Sequence, residues 1–226
     1  FASYTEKWKS DYLNGTLSLH DFALAYKQEV YPLSELKIDA LSTDTTNSIH
    51  LKSQILDANI VGKYKLTELA TQLQRTINTY YNLNLKGEAL TKPLDPAYFN
   101  MDLAIKDDDI VRKFLPDLNS FETINLVGKY NSQEENIELK GNVPEIIYGV
   151  NKIKGVDLDL TNNANTLNLN VAIAGLENEN FVLDKMFLKG NIKENIISYD
   201  LQVLDQKDVL QYEIAGTVNS INDITQ

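Results

Sequence analysis

Residues Ile49–Tyr81 read IHLKSQILDANIVGKYKLTELATQLQRTINTYY, and a change of rhythm inside them decides the fold. The first half is extended: Ile55, Ala58, Ile60 and Val61 stand among Asp57, Asn59 and Lys63, and Gly62 falls just before Tyr64. In the second half Leu66, Leu69, Ala70, Leu73 and Ile77 recur at three- and four-residue steps, which places them on one face of a helix. Thr67 has the hydroxyl to cap it, so the spacing predicts a helix over Thr67–Tyr81, about 22 Å long. Leu69, Leu73 and Ile77 form its expected packing face, with Gln72, Gln74 and Asn78 turned to water. No other long amphipathic helix occurs in the chain. A mostly β protein with one such helix lays it across an apolar sheet face, because each element must bury one side.

Around this stretch the 226 residues are 43% hydrophobic and 23% charged, enough apolar material for a core and too much for a disordered tail. The formal net charge of −11 argues against nucleic acid or an anionic membrane surface as a bulk partner. Without cysteine there is neither disulfide nor thiol chemistry. No apolar run approaches the roughly 18 residues of a membrane-spanning helix. The strand-like ends Phe1–Trp8 and Tyr212–Val218 read as strands whose partners lie elsewhere, so the chain is expected to be a segment of something longer.

Strand candidates begin at Ala2–Lys9 and, after an Asn14-Gly15 turn signal, continue through Leu17–Leu24 and the clean alternation of Leu36–Ala40. Leu83–Leu85 resumes extended chain after the helix. Lys92–Pro96, with two prolines that cannot donate to a ladder, marks the boundary between 1–92 (strands plus the packed helix) and 93–226 (a meander continuing the same sheet). Phe99–Ile105 alternates again. Asp107–Asp109 would cap a short helix through Leu115, ended by Pro116. Beyond Phe121 only strands are expected: Ile124–Tyr130, Ile137–Gly141, Val156–Leu160, Leu167–Ile173, Phe181–Ile192, Ile197–Val203 and Leu210–Val218, an antiparallel meander.

In Leu167–Ile173 and Ile197–Val203 every second residue is apolar, giving a sheet with one apolar and one wet face. Helical residues are too few to cover it, which leaves a sandwich of two sheets or one curled sheet. Two echoes favour a repetitive meander. Asn59-Ile-Val-Gly-Lys-Tyr64 recurs as Asn125-Leu-Val-Gly-Lys-Tyr130, and Leu-Lys-Gly occurs at Leu85–Gly87, Leu139–Gly141 and Leu188–Gly190. Glycine inside a strand permits a bend or a close backbone approach, which helps a sheet curl.

The strand–glycine–helix order in Gln54–Tyr64, followed by Leu69, Leu73 and Tyr80-Tyr81, resembles AsmA-like proteins, specifically TamB-type translocation and assembly module proteins of the Bacteroidetes kind. The downstream order is similar as well: an alternating strand at Phe99–Ile105, a short helix closing at Phe114-Leu-Pro116, a Gly-Lys-Tyr strand and a meander. This resemblance spans most of Leu36–Val218. It implies a mainly β, elongated and curled antiparallel sheet, a U-shaped groove in the periplasmic part of an inner-membrane-anchored protein. It further implies lipid acyl chains as cargo, the rest of a longer parent chain as neighbour, and an outer-membrane barrel as partner. Groove-lining residues on this reading are Ile137 and Leu139, Leu158 and Leu160, Leu167, Leu169, Val171 and Ile173, Leu201 and Val203, and Tyr212 and Ile214.

No residue set points to catalysis or to a cofactor. His20 and His50 are best read as two separate strand histidines, and Asp107–Asp109 lacks the spacing of a calcium loop. No GxSxG or Gly-rich phosphate loop is present. Lys63, Lys65 and Arg75 near Tyr64, Tyr80 and Tyr81 form a candidate headgroup or glycan contact, but a solvated helix edge explains them better. The expected role is therefore non-enzymatic, with a secreted β-sandwich adhesion or glycan-binding module as the rival.

Overall fold

The computed structural model describes residues 11, 13–26, 29–82, 93–163 and 165–219. The expected strands Ala2–Lys9 and Leu83–Leu85, and the first Leu-Lys-Gly, lie outside them. The alternating segments form one antiparallel sheet of 14 strands that curls without closing. Its main path is β1 (Gly15–Tyr26), β2 (Glu29–Ser42), β3 (Asn47–Ser53), β4 (Leu56–Lys63), β5 (Tyr98–Ile105), β7 (Ile124–Asn131), β8 (Asn136–Tyr148), β9 (Asn151–Asn163), β10 (Thr166–Glu177), β12 (Lys185–Lys193), β13 (Ile196–Leu204) and β14 (Leu210–Asn219). Two short strands sit off it: β6 (Leu118–Phe121) pairs with β8, and β11 (Val182–Leu183) pairs with β10. The expected single strand Phe181–Ile192 is thus two strands broken at Asp184, and the first of them returns to β10.

Local chemistry places the reversals. β12 and β13 are joined by Glu194-Asn195, both at positive φ (52° and 65°), the two-residue turn whose twist suits a hairpin. Pro144 sits inside β8 where a missing donor would break the ladder. Opposite it β9 places Gly155 at φ 57°, and the regular pairing skips both. At Asp21 (φ 48°) the β1–β2 ladder is interrupted, and Ser34 takes Gln54 as acceptor instead. That kink is why Leu17–Leu24 alternates only approximately. Beyond it Tyr31 and Leu33 are buried, and Tyr31 stacks on Phe114 of the short helix.

The short helix α2 (Asp109–Phe114) is capped as its sequence suggests, with Asp108 accepting from the Ile110 amide. Asp107 and Asp109 both hold Arg112. The aspartate run is therefore occupied by helix chemistry. The long helix α1 is shorter than its periodicity predicts: it runs Leu69–Asn78, with turns at 66–68 and 79–80. Thr67 does not cap it, because its hydroxyl donates to Asp11 Oδ1. Glu68 takes the cap position without a side-chain bond.

α1 lies over one end of the apolar face. Leu66, Leu69 and Leu73 pack on Tyr64, Ala97, Phe99 and Tyr130, from the end of β4 through β5 and β7. At its far end the Tyr80 hydroxyl accepts from Asn162 of β9, and the Tyr80 carbonyl accepts from the Asn195 amide in the β12–β13 turn. From β4 to β12 is six strand spacings, about 29 Å along the sheet, whereas the ten helical residues rise about 15 Å. Flanking turns, side-chain reach and curvature of the sheet toward the helix make up the difference.

Candidate functional site

Because directly paired residues share a face, the strand register sorts the whole sheet. One row takes a residue from every strand of the main path: Leu17, Ile38, Leu51, Ala58, Leu103, Leu126, Gly141, Leu158, Val171, Leu188, Leu201 and Ile214. Every member is apolar or glycine. The next row runs Ala40, Ile49, Ile60, Met101, Gly128, Leu139, Leu160, Leu169, Gly190, Tyr199 and Gly216. On the other side of the first row stand Val143, Val156, Ile173, Met186, Val203 and Tyr212. All twelve residues expected to line a groove therefore lie on one face, with Ile137 and Leu167 at the helix-covered end.

This face is covered at its ends and open between them. Leu167 is buried beside the helix end, and Val143, Met186 and Val203 are buried toward the opposite end. In the middle row Leu103, Leu126, Leu158, Val171, Leu188 and Leu201 are half-buried, and Ile214 on β14 is exposed. Among the described residues no large side chain falls below 2% exposure, so no second layer seals the sheet. A sandwich core would bury such leucines outright.

The expected packing face of α1 is corrected in part. Leu69 and Leu73 join the aromatic cluster, and Ile77 is half-buried beyond it. The most buried helix side chains, however, are Gln72 and Thr76; Gln72 was expected in water, and Gln74 and Asn78 are half-buried. The cause is Tyr130. Its hydroxyl donates to the Gln72 carbonyl at 3.0 Å and shares a 2.9 Å bond with the Thr76 hydroxyl, so the helix turns a polar strip toward the sheet. Gln72 Nε2 donates to the Asp95 carbonyl. Burial pushes the Tyr64 and Tyr130 phenols above their ordinary pKa, although the bond to Thr76 draws Tyr130 partly back.

The candidate headgroup constellation is not assembled. Tyr64 and Tyr80 are buried at 3% and 2% exposure, and Lys65 pairs with Asp95 and Glu68. His20 and His50 are both exposed on the wet face, opposite Glu35 and Asp39 respectively. Among the described residues no three His, Asp or Glu side chains stand close enough to hold a metal ion.

The wet face is ordered too. One row reads Thr16, Asp39, His50, Asn59, Asp102, Val127, Lys140, Asp159, Asn170, Lys189, Asp200 and Ala215. Two Leu-Lys-Gly segments, Leu139–Gly141 and Leu188–Gly190, supply Lys140 and Lys189 to it. Together the geometry defines a class: an open, single-layer antiparallel sheet with one continuous apolar face, capped at one end by a helix. Comparison with protein-family models, with curated proteins and with solved structures finds no match to this chain.

Proposed function

We propose that this chain is a non-enzymatic, periplasmic segment of an AsmA-like, TamB-type envelope protein, whose apolar face carries lipid acyl chains in lipid transport or outer-membrane assembly. The supporting observation is the unbroken row from Leu17 to Ile214: twelve strands contribute a position each, and none is polar. An acyl chain laid along it finds no charge and no unsatisfied donor. Each methylene taken from water contributes about 0.8 kcal/mol, so affinity grows with contact length and needs no specific polar pocket. The half-exposure of the middle row leaves room for such contact. The rival sandwich reading requires a second sheet packed about 10 Å away, whereas the described strands form one.

Leu169 and Asn168 are neighbours on opposite faces of β10. In envelope-expressed full-length protein, a photo-crosslinking residue at Leu169 is expected to capture lipid, and the same residue at Asn168 is not. Leu169→Arg should leave the domain folded, because the guanidinium can extend along an open face to water, whereas in a sealed core it would unfold the domain. Capture of protein alone at Leu169 would reject the reading.

A further inference from the structure

The two ends of the sheet carry different turns. At the end covered by α1 the turns at 43–46, 132–135 and 194–195 hold no apolar residue. At the opposite end three neighbouring turns each present a pair of large apolar side chains: Tyr148 and Val150 at the β8–β9 turn, Phe181 and Val182 between β10 and β11, and Val209 and Leu210 between β13 and β14. All six are exposed, Val150 at 71% and Val182 at 66%. Turns are ordinarily built of Gly, Pro, Asn, Asp and Ser. Three apolar tips side by side therefore call for a partner that takes them out of water.

The tips are tied to one another. Asn178 Nδ2 donates to Asn151 Oδ1 at 2.9 Å, which joins the second turn to the first. Gln206 Nε2 donates to Asp184 Oδ1 at 3.2 Å and Lys185 pairs with Asp208, which joins the third to the second. Their backbone is largely satisfied from within. Asn178 Oδ1 accepts from the Asn180 and Phe181 amides, and Asp205 Oδ1 from those of Lys207 and Val209. The Gly149 amide donates to the Asp117 carbonyl, and the Gly149 carbonyl accepts from Asn119. The tips can thus leave bulk water without stranding these groups.

We propose that this end of the sheet docks on a bilayer surface, its three apolar tips entering among the headgroups and upper acyl segments of zwitterionic lipid. A soluble protein would need three separate pockets to receive the tips, whereas a fluid bilayer moulds itself to them. A second copy of the chain would set like charge against like, because segments 145–154, 177–185 and 205–210 carry six carboxylates against four lysines. The same excess disfavours anionic lipid and suits headgroups that carry a cation beside their phosphate. None of the six tip residues belongs to the apolar rows, so the docking edge is distinct from the face proposed to carry acyl chains.

The test is flotation of the full chain with vesicles of mixed phosphatidylcholine and phosphatidylethanolamine, with and without a share of phosphatidylglycerol. The chain is expected to float with the neutral vesicles and less well with the anionic ones. A lipid with a nitroxide headgroup should broaden the amide resonances of Val150, Phe181 and Val209 and spare those of Asp44 and Gln133. Val150→Asn together with Phe181→Asn should weaken binding about tenfold or more, since two apolar side chains no longer enter the bilayer. Both positions are exposed, and an unchanged spectrum elsewhere shows the variant folded. No flotation, stronger binding to anionic vesicles, or undiminished binding by the double variant would each overturn the assignment. Leu169→Arg should leave flotation unchanged. If it abolishes flotation, the vesicles are held by the apolar face, which overturns the docking edge and leaves acyl-chain carriage standing.

Discussion

Gly62 and Gly128 hold the same place in two nearly identical segments, Asn59–Tyr64 and Asn125–Tyr130, and the fold sets the two segments on either side of β5. Tyr64 and Tyr130 both close on Phe99, with ring centroids 6.0 and 5.3 Å away. The glycines nevertheless face different neighbours. A Cβ on Gly62 would lie 2.1 Å from the Tyr98 carbonyl oxygen and 2.5 Å from the Phe99 Cα, which only backbone movement can relieve. A Cβ on Gly128 would meet first the Met101 methyl at 2.6 Å, the free end of a flexible side chain. Gly62→Ala is therefore expected to cost about 1–3 kcal/mol in denaturant unfolding. Gly128→Ala should fall within about 1 kcal/mol of neutral, since relief of glycine's entropy cost offsets the crowding. Equal losses would show that the two sites are equivalent. The repeat itself was plain in the sequence. What each glycine faces was not, because the strand across from it supplies the crowding atoms.

At the scale of the element, α1 illustrates what periodicity reveals and what it omits. Three- and four-residue spacing located the helix and put Leu69 and Leu73 against the sheet, but could not place its ends. Nor could it foresee burial of Gln72 and Thr76, whose partner Tyr130 is 58 residues from Gln72. A helix seated through hydroxyls detaches more readily than one seated wholly on leucines, since water replaces the lost bonds. The double variant Tyr80→Phe, Tyr130→Phe removes the hydroxyl contacts to Asn162, Gln72 and Thr76. Amide exchange across Leu69–Asn78 should then accelerate about tenfold or more, two hydrogen-bonding hydroxyls at about 1 kcal/mol each, while β8, β9 and β10 keep their protection. Acceleration of all elements alike would mean that α1 is integral to the sheet's stability and not a separable cover.

For the molecule as a whole, alternation in Leu167–Ile173 and Ile197–Val203 was enough to foresee a one-faced meander. It left sandwich and curled sheet unresolved, because a strand's own pattern does not report what lies opposite its apolar side. Pairing resolves that: among the described residues β1 and β14 each have one strand neighbour. Among the described residues no strand pairs with the outer edge of β14, which also exposes Tyr212, Ile214 and Val218, the combination that recruits another strand. The isolated chain is expected to self-associate with rising concentration in sedimentation velocity, and Ile214→Lys to suppress this. A monomer at every concentration would show that the edge is blocked.

Along most of the main path each strand's neighbour in space is also its neighbour in sequence, and among the described residues only short β6 and β11 and the two helices interrupt that order. Such a sheet has no strand that must wait for a distant partner. It can form by accretion, each hairpin docking on the edge left by the one before, and its contacts stay short-range for an all-β chain. Its length is correspondingly free: adding or deleting a hairpin moves the edge without rewiring any ladder, and the apolar row grows or shrinks by two positions. In a chain built this way the length of the apolar row is set by the number of its strands alone.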